Sequence, residues 1–241
     1  MSAAELLKQA KLGEAIDEVS VALRQDPTDK QARTFLFELL CFTGDLDRAN
    51  KHLELVAHDS KESKTGGLLY HAALQAERTR QDAFEGKLEG GPSLDTDKPA
   101  QSKVKGTFNG APFEAIGDAD PRIGGQLEVI AGLDYLWVPF EHIVSIDMVA
   151  PRRLRDLYWA PARVETGPKF QGQTLGEVLL PALAPQSYLH PDEEVQLGRV
   201  SVWARDEDGV EAPYGLKMLV VDGVERPLLD LRELRIEAVE G

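Results

Sequence analysis

Apolar residues in the first 88 positions recur with the spacing of paired helices. Displacing the chain by 34 residues aligns Leu12 with Leu46 and Ala15 with Ala49, which is the period of tetratricopeptide-like helix hairpins. Alanines at such positions allow neighbouring helices to approach closely. The pattern predicts five helices, at residues 2–10, 12–25, 30–42, 45–58 and 64–85. Two recognisable repeats are few for an extended array, so we expect a compact α-α superhelix.

The segment "FLFELLCF", residues 35–42, is apolar nearly all round a helix and carries one charge, Glu38. Such a helix is buried on more than one side. One interpretation is the central helix of a bundle. The other is a groove that binds an amphipathic partner helix, with a floor made by Arg33, Phe37, Glu38 and Cys41.

Beyond residue 105 the pattern changes to the alternation typical of strands. Asn109-Gly110 and Asp222-Gly223 are strong signals for two-residue hairpin turns, and helical spacing is short and scarce, at most within residues 121–132. We therefore predict an α+β protein of two domains, whose second domain is mainly antiparallel and barrel-like. The helical domain is assigned to residues 1–88, a linker rich in Gly, Pro, Ser and Lys to 89–105, and the second domain to 106–241.

Charge and composition limit the classes of partner and the compartment that suit this chain. The net charge of -14 disfavours both nucleic acid and anionic membrane surfaces as partners. A single cysteine, Cys41, forms no internal disulfide and suits a reducing compartment. The N-terminal sequence lacks the pattern of a secretory signal, and no apolar run approaches the roughly 20 residues that span a bilayer. We expect a soluble, cytoplasmic protein.

The loop "IGDADPRIGG", residues 116–125, has the residue types of a ligand-binding loop. It fails the EF-hand pattern, because position 5 counted from Asp118 is Arg122 rather than an oxygen ligand. It also fails the P-loop pattern, since no Lys-Ser/Thr pair follows its glycines. The remaining interpretation is a structural loop in which Asp118, Asp120, Arg122 and Gly124 shape and hold a turn.

Catalytic patterns are scarce elsewhere. No GxSxG, HExxH or CxxC motif occurs, and a metal site on Asp118 and Asp120 would need a third ligand, for which His142 is the candidate. A metal-assisted hydrolase at these two aspartates is the alternative hypothesis. Our prediction is a protein that is not an enzyme and that uses no cofactor and no metal.

Several segments resemble one family in order along the chain. In the first half they are "LLKQAKLGEAI", "DPTDKQARTFLFELLCFTGDLDRA" and "LQAERTRQDAFEGK"; in the second half they are "FNGAPFEAIGDADPRIGGQLEVI", "YLWVPFEHI", "PRRLRDLYWAPARV" and "ERPLLDLRELRI". Together they resemble the ImpE/TagJ family, accessory proteins of bacterial type VI secretion. Arg155, Asp156 and Trp159 fall in the family's Leu-Arg-Asp segment.

The resemblance implies a two-domain adaptor without enzymatic activity. Its implied partner is the small subunit of the contractile sheath, bound through a helix of that subunit. A second implied partner is the AAA+ ATPase that disassembles the sheath.

Overall fold

The N-terminal part of the protein is helical, as the sequence predicts. The structure is a computed structural model, and it describes residues 1–57, 61–88, 100–168, 170, 175–205, 209 and 211–237. Its first five α-helices are α1 Ala3–Lys8, α2 Leu12–Gln25, α3 Lys30–Phe42, α4 Leu46–Ala57 and α5 Lys61–Phe84. The five predicted helices are confirmed, with ends displaced by a few residues.

Local chemistry explains two of the helix starts. Ser2 caps α1 in a capping box with Glu5. Asp29 caps α3, because its side chain accepts the N–H groups of Gln31 and Ala32. By contrast, α2 has no capping side chain of its own at Lys11.

The α3 helix is the centre of the helical part. It packs against α2 on one side and α4 on the other, and every residue from Leu36 to Phe42 is buried. The aromatic ring of Phe42 meets Tyr158, which lies beyond the helices, with ring centroids 5.3 Å apart. Burial on several sides is what an all-round apolar helix requires.

The rest of the described chain forms three antiparallel sheets, one short α-helix and four 3-10 helices. The strands are β1 Gly106–Phe108, β2 Ala111–Phe113, β3 Ile116–Asp118, β4 Gln126–Ala131, β5 Asp134–Pro139, β6 Ile143–Met148, β7 Trp159–Thr166, β8 Gly176–Pro181, β9 Ser201–Arg205, β10 Glu211–Gly215, β11 Met218–Val221, β12 Val224–Pro227 and β13 Glu233–Ile236; the helix is α6 Glu193–Gln196. The main sheet has the order β2-β1-β13-β6-β7-β8-β4-β5, and the others are β12-β11-β3 and β10-β9.

Both predicted hairpin turns are confirmed. Asn109-Gly110 joins β1 to β2 and Asp222-Gly223 joins β11 to β12. All four residues have positive φ, the conformation that tight two-residue hairpins need and that Asn, Asp and Gly tolerate best.

Two expectations about the sheet part are wrong. The eight-stranded sheet is open rather than barrel-like, with β2 and β5 at its edges. Pro112 lies in β2 and Pro139 ends β5, and a proline offers no N–H to a further strand. The helical spacing within 121–132 falls on β4, whose four central residues are buried because β4 lies between β5 and β8.

The core of the protein crosses from the helices to the main sheet. One hydrophobic cluster lies within the sheets, whereas the other joins Leu39 and Phe42 of α3 to Ile123, Tyr158 and Trp159. The division into domains at residue 88 stays a prediction, since the two parts share this second cluster. Of the predicted linker, residues 89–99 lie outside the described residues. No helix in the described part of the chain is long and apolar enough to cross a membrane.

Candidate functional site

The loop between β3 and β4 is closed by its own aspartates. Asp118 Oδ1 accepts the N–H of Asp120 at 2.9 Å, and Asp120 Oδ1 accepts the N–H of Arg122 at 2.9 Å. The carbonyl of Asp120 accepts the N–H of Gly124 at 2.9 Å, and Gly124 has a φ of +60°. Asx turns of this kind fix a short loop without help from secondary structure.

Arg122 ties the loop to the end of α5. Its guanidinium binds both carboxylate oxygens of Asp120, with Nε 3.0 Å from Oδ1 and Nη2 2.7 Å from Oδ2. The same group donates to Gln186 Oε1 at 3.0 Å and lies 4.9 Å from the ring centroid of Phe84. A planar guanidinium suits both the bidentate pair and the contact with the ring.

A second set of buried charges continues from the loop into the helices. Lys217 lies between Asp118, at 2.6 Å from Oδ2, and Glu128, to which it also donates. Arg80 of α5 binds Glu128 Oε1 at 2.7 Å and Glu77 Oε1 at 3.0 Å. These charged side chains are all buried, and we call them the buried ion network: Glu77, Arg80, Asp118, Asp120, Arg122, Glu128 and Lys217.

The pKa values of two carboxyl groups beside the same lysine shift in opposite directions. Burial raises the pKa of Asp118 to about 6; Lys217 opposes the rise, and Glu128 and Asp120 add to it. For Glu128, burial is outweighed by the charges of Arg80 and Lys217, and the pKa falls to about 2. The difference follows from the number of cations, because Glu128 contacts two and Asp118 contacts one.

The network pairs its charges with one another. Asp118 and Asp120 bind Lys217 and Arg122, and no group of three or more His, Cys, Asp or Glu side chains in the described ranges is arranged to hold a metal ion. Charges paired in this way can hold the helices against the sheets. The assignment of Asp118, Asp120, Arg122 and Gly124 to a structural loop stays a prediction.

Sequence reasoning missed Glu77, Arg80, Glu128 and Lys217. Glu128 and Lys217 each interrupt an apolar stretch, "QLEVIAG" and "GLKMLVV", and a lone charge in such a stretch signals a buried pair. No local pattern reveals the partner, since Lys217 and Glu128 are 89 residues apart along the chain.

A second contact between the two parts supplies the caps that the helices lack. Glu193 of α6 accepts the N–H of Leu12 at 2.7 Å and that of Gly13 at 2.9 Å, at the start of α2. Arg199 donates to the carbonyl of Lys8 at 2.8 Å, at the end of α1. A carboxylate at a helix N-terminus and a guanidinium at a C-terminus both match the helix dipole.

The turn between α3 and α4 is covered by the same region. A Cβ atom added to Gly44 would lie 2.5 Å from Cδ2 of Tyr188, and Gly44 has a φ of +71°. The Tyr188 hydroxyl donates to Glu85 Oε1 at 2.9 Å. Glycine at position 44 therefore permits both the turn and the close approach of the tyrosine ring.

The four residues predicted to line a partner groove have different environments. Phe37 and Cys41 are only 1% and 2% exposed, and burial raises the pKa of the Cys41 thiol. Glu38 binds Arg155 Nη1 at 3.1 Å. Arg33 donates to a carbonyl of the preceding turn at 3.1 Å. Phe37 and Cys41 thus lie beneath the surface, because the rest of the chain covers that side of α3.

An open concavity lies on the neighbouring face of α3. It has a volume of about 340 Å³, and Glu38, one of its lining residues, is paired with Arg155. We call it the α3 concavity, and its lining residues are Lys30, Gln31, Thr34, Phe35 and Glu38. The phenyl group of Phe35 is half-buried, so it is both supported by the core and accessible.

The fold and these contacts define an α+β protein whose helical part is joined to open antiparallel sheets by a shared core and a buried ion network. The profile of the family described as "ImpE protein" matches residues 110–235, which include the loop and most of the network. The chain is also 31% identical to the type VI secretion system accessory component TagJ of Pseudomonas aeruginosa, covering 100% of this chain and 93% of that protein. The chain therefore belongs to the ImpE family, and the resemblance found in the sequence is confirmed.

A solved structure shows the same fold. The crystal structure of protein VPA1032 from Vibrio parahaemolyticus matches with a TM-score of 0.82, over 99% of this chain and 98% of that one. The sequence identity is 20%, so this likeness supports the arrangement of helices and sheets and nothing further.

Proposed function

We propose that this protein is a non-enzymatic accessory component of a type VI secretion system, acting in the cytoplasm as an adaptor. The observation that carries the proposal is the 31% identity with TagJ over the whole chain. The hydrolase alternative gains no support, because both of its aspartates are buried and ion-paired.

The partner we propose is the small subunit of the contractile sheath, bound through one of its helices. Two consecutive helix pairs, α2 with α3 and α4 with α5, support a tetratricopeptide-like unit. Helix pairs of this kind expose surfaces that accept an amphipathic helix through a few apolar anchors. A contact with the AAA+ ATPase that disassembles the sheath is a further part of the proposal.

The α3 concavity is the place we propose for the partner helix. It combines the half-buried ring of Phe35 with polar groups at its edge, which is the usual composition of an interface with an apolar centre and a polar rim. Of the residues predicted from the sequence, Glu38 lines this concavity. Phe37 and Cys41 are buried and do not line it.

The experiment measures binding of the full chain to the purified small sheath subunit from the same type VI gene cluster. Thr34→Trp fills the concavity with a bulky ring and leaves the buried side of α3 unchanged. We expect the dissociation constant to rise at least about tenfold, or about 1.4 kcal/mol. Circular dichroism and the melting temperature show whether the variant is folded.

Thr79→Trp is the matched control. Thr79 lies on α5, and its hydroxyl donates to the carbonyl four residues earlier, as that of Thr34 does. We expect the control to bind like the parent. If the parent does not bind the sheath subunit, the proposed function is wrong. If Thr34→Trp binds as tightly as Thr79→Trp, the proposed location is wrong.

A further inference from the structure

We infer that the α3 concavity recognises an acidic segment of its partner, because the sheet part of the chain places arginines at its edge. The inference rests on the proposed function and adds the chemistry of the partner surface. The binding site would then be formed by α3 together with the segment that precedes β7.

The segment next to the concavity is basic, although the whole protein is acidic. The chain has a net charge of -14, whereas the segment "PRRLRDLYW", which contains Arg155, carries three arginines and one aspartate. Arg155 reaches the concavity directly through its 3.1 Å bond with Glu38. Lys30 adds a further cation from the first turn of α3. A local basic surface on an acidic protein attracts an acidic partner by complementarity.

Arg153 lies two residues before Arg155, at the start of the short turn Leu154–Leu157. Burial raises the pKa of Glu38; Arg155 and Arg153 oppose that rise, and Asp156 adds to it. The side chain of Arg153 is exposed, and no ion pair with a carboxylate is found for it within the described residues. Its charge therefore remains available to an approaching anion.

The backbone that carries these arginines is fixed before a partner arrives. Asp156 Oδ2 accepts the backbone N–H groups of Arg152 and Arg153 at 2.9 and 3.0 Å, at the start of the turn Leu154–Leu157. The guanidinium of Arg155 lies 4.8 Å from the ring centroid of Tyr70. A segment whose backbone is already ordered loses less conformational entropy on binding than a mobile one does.

Arg155 is largely buried: 16% of its side chain is exposed, and it donates from Nη1 to Glu38. An exposed guanidinium of this segment that an approaching carboxylate would meet is that of Arg153. Phe35 would contact an apolar side chain of the same partner helix. The occupant we infer is thus an amphipathic helix with an acidic edge.

The experiment measures the affinity of the full chain for the small sheath subunit at 50 and 500 mM NaCl. We expect Arg153→Glu to weaken binding at least about tenfold at low salt, because it replaces attraction with repulsion. The loss should shrink at high salt, where charges are screened within a few ångströms. Arg153→Lys should bind within about threefold of the parent, since the positive charge is kept.

Arg163→Glu is the matched control, with the same change of net charge. Arg163 is exposed on β7 and pairs with Glu165 at 3.4 Å, a surface pair of little energetic weight. The inference would be wrong if Arg153→Glu and Arg163→Glu bind with equal affinity, or if the affinity of the parent does not change with salt concentration. Either result would leave the proposed function unaffected. Absence of any binding by the parent would overturn both. A salt-sensitive dimer of the chain that Arg153→Glu dissolves would show that a second copy takes the place of the acidic helix.

Discussion

Replacing Lys217 with methionine removes the cation between two buried carboxylates. Lys217 is 1% exposed, and it contacts both Asp118 and Glu128. Methionine fills a similar volume with apolar atoms, so the change acts mainly on charge. Glu128 keeps Arg80 as a partner, whereas Asp118 loses its cation.

The expected decrease in the free energy of unfolding follows from the loss of the cation beside Asp118. Removing one partner of a buried ion pair costs about 3–5 kcal/mol, because the other charge stays buried without compensation. For a chain of this length, that corresponds to a fall in melting temperature of roughly 6–20 °C. The cost should lie near the lower value, since Asp118 already has a pKa of about 6 and can take up a proton when Lys217 is absent.

Urea unfolding at pH 7.5, followed by circular dichroism, measures the change in the free energy of unfolding. Lys105→Met is the control, because Lys105 is exposed and its amine lies 3.7 Å from the exposed carboxylate of Glu114; we expect an effect within about 0.5 kcal/mol. Adding Asp118→Asn to Lys217→Met should restore part of the stability. A loss below about 1 kcal/mol for Lys217→Met would refute the reasoning, as would a double variant less stable than the single one.

The pH dependence of stability offers another test of the network. The folded pKa of Asp118, about 6, exceeds its ordinary 3.8, so its stabilising contribution is complete below pH 3.8 and is lost as the pH rises through 6. Glu128 behaves oppositely, with a contribution present above 4.5 and lost as the pH falls toward 2. Lowering the pH from 7.5 to 5.0 should therefore stabilise the parent by about 1 kcal/mol relative to Asp118→Asn, and equal slopes of the two proteins in urea unfolding would contradict this. Separately, Glu193→Ala should cost about 0.5–2 kcal/mol by uncapping α2, and the exposed Glu194→Ala should not; equal melting temperatures of the two variants would exclude a capping role.

Features that depend on neighbouring residues could be predicted from the sequence. The turns at Asn109-Gly110 and Asp222-Gly223 form because their own residues tolerate positive φ. The helix ends follow from periodicity and from local caps such as Asp29. The loop residues Asp118 and Asp120 could be assigned to a turn for the same reason, since their hydrogen bonds span two residues.

Features that join distant segments could not be predicted in this way. The all-round apolar pattern of α3 indicated burial, but it did not show that Tyr158 and Arg155 of the sheet part provide the cover. Of the predicted groove residues Arg33, Phe37, Glu38 and Cys41, the structure buries Phe37 and Cys41, and Glu38 lines the α3 concavity. The sequence pattern of a helix shows which of its faces are apolar. It does not show which of those faces another part of the chain will cover.

The most direct test of the proposed binding site is hydrogen exchange of the full chain, measured by mass spectrometry with and without the purified small sheath subunit. We expect slower exchange at residues 30–38 of α3 and at 152–155, because the proposed partner helix would cover both. The exposed strand β9, at Ser201–Arg205, serves as an internal reference whose exchange should not change. Protection at β9 or elsewhere, with unchanged exchange at 30–38 and 152–155, would contradict the proposed site.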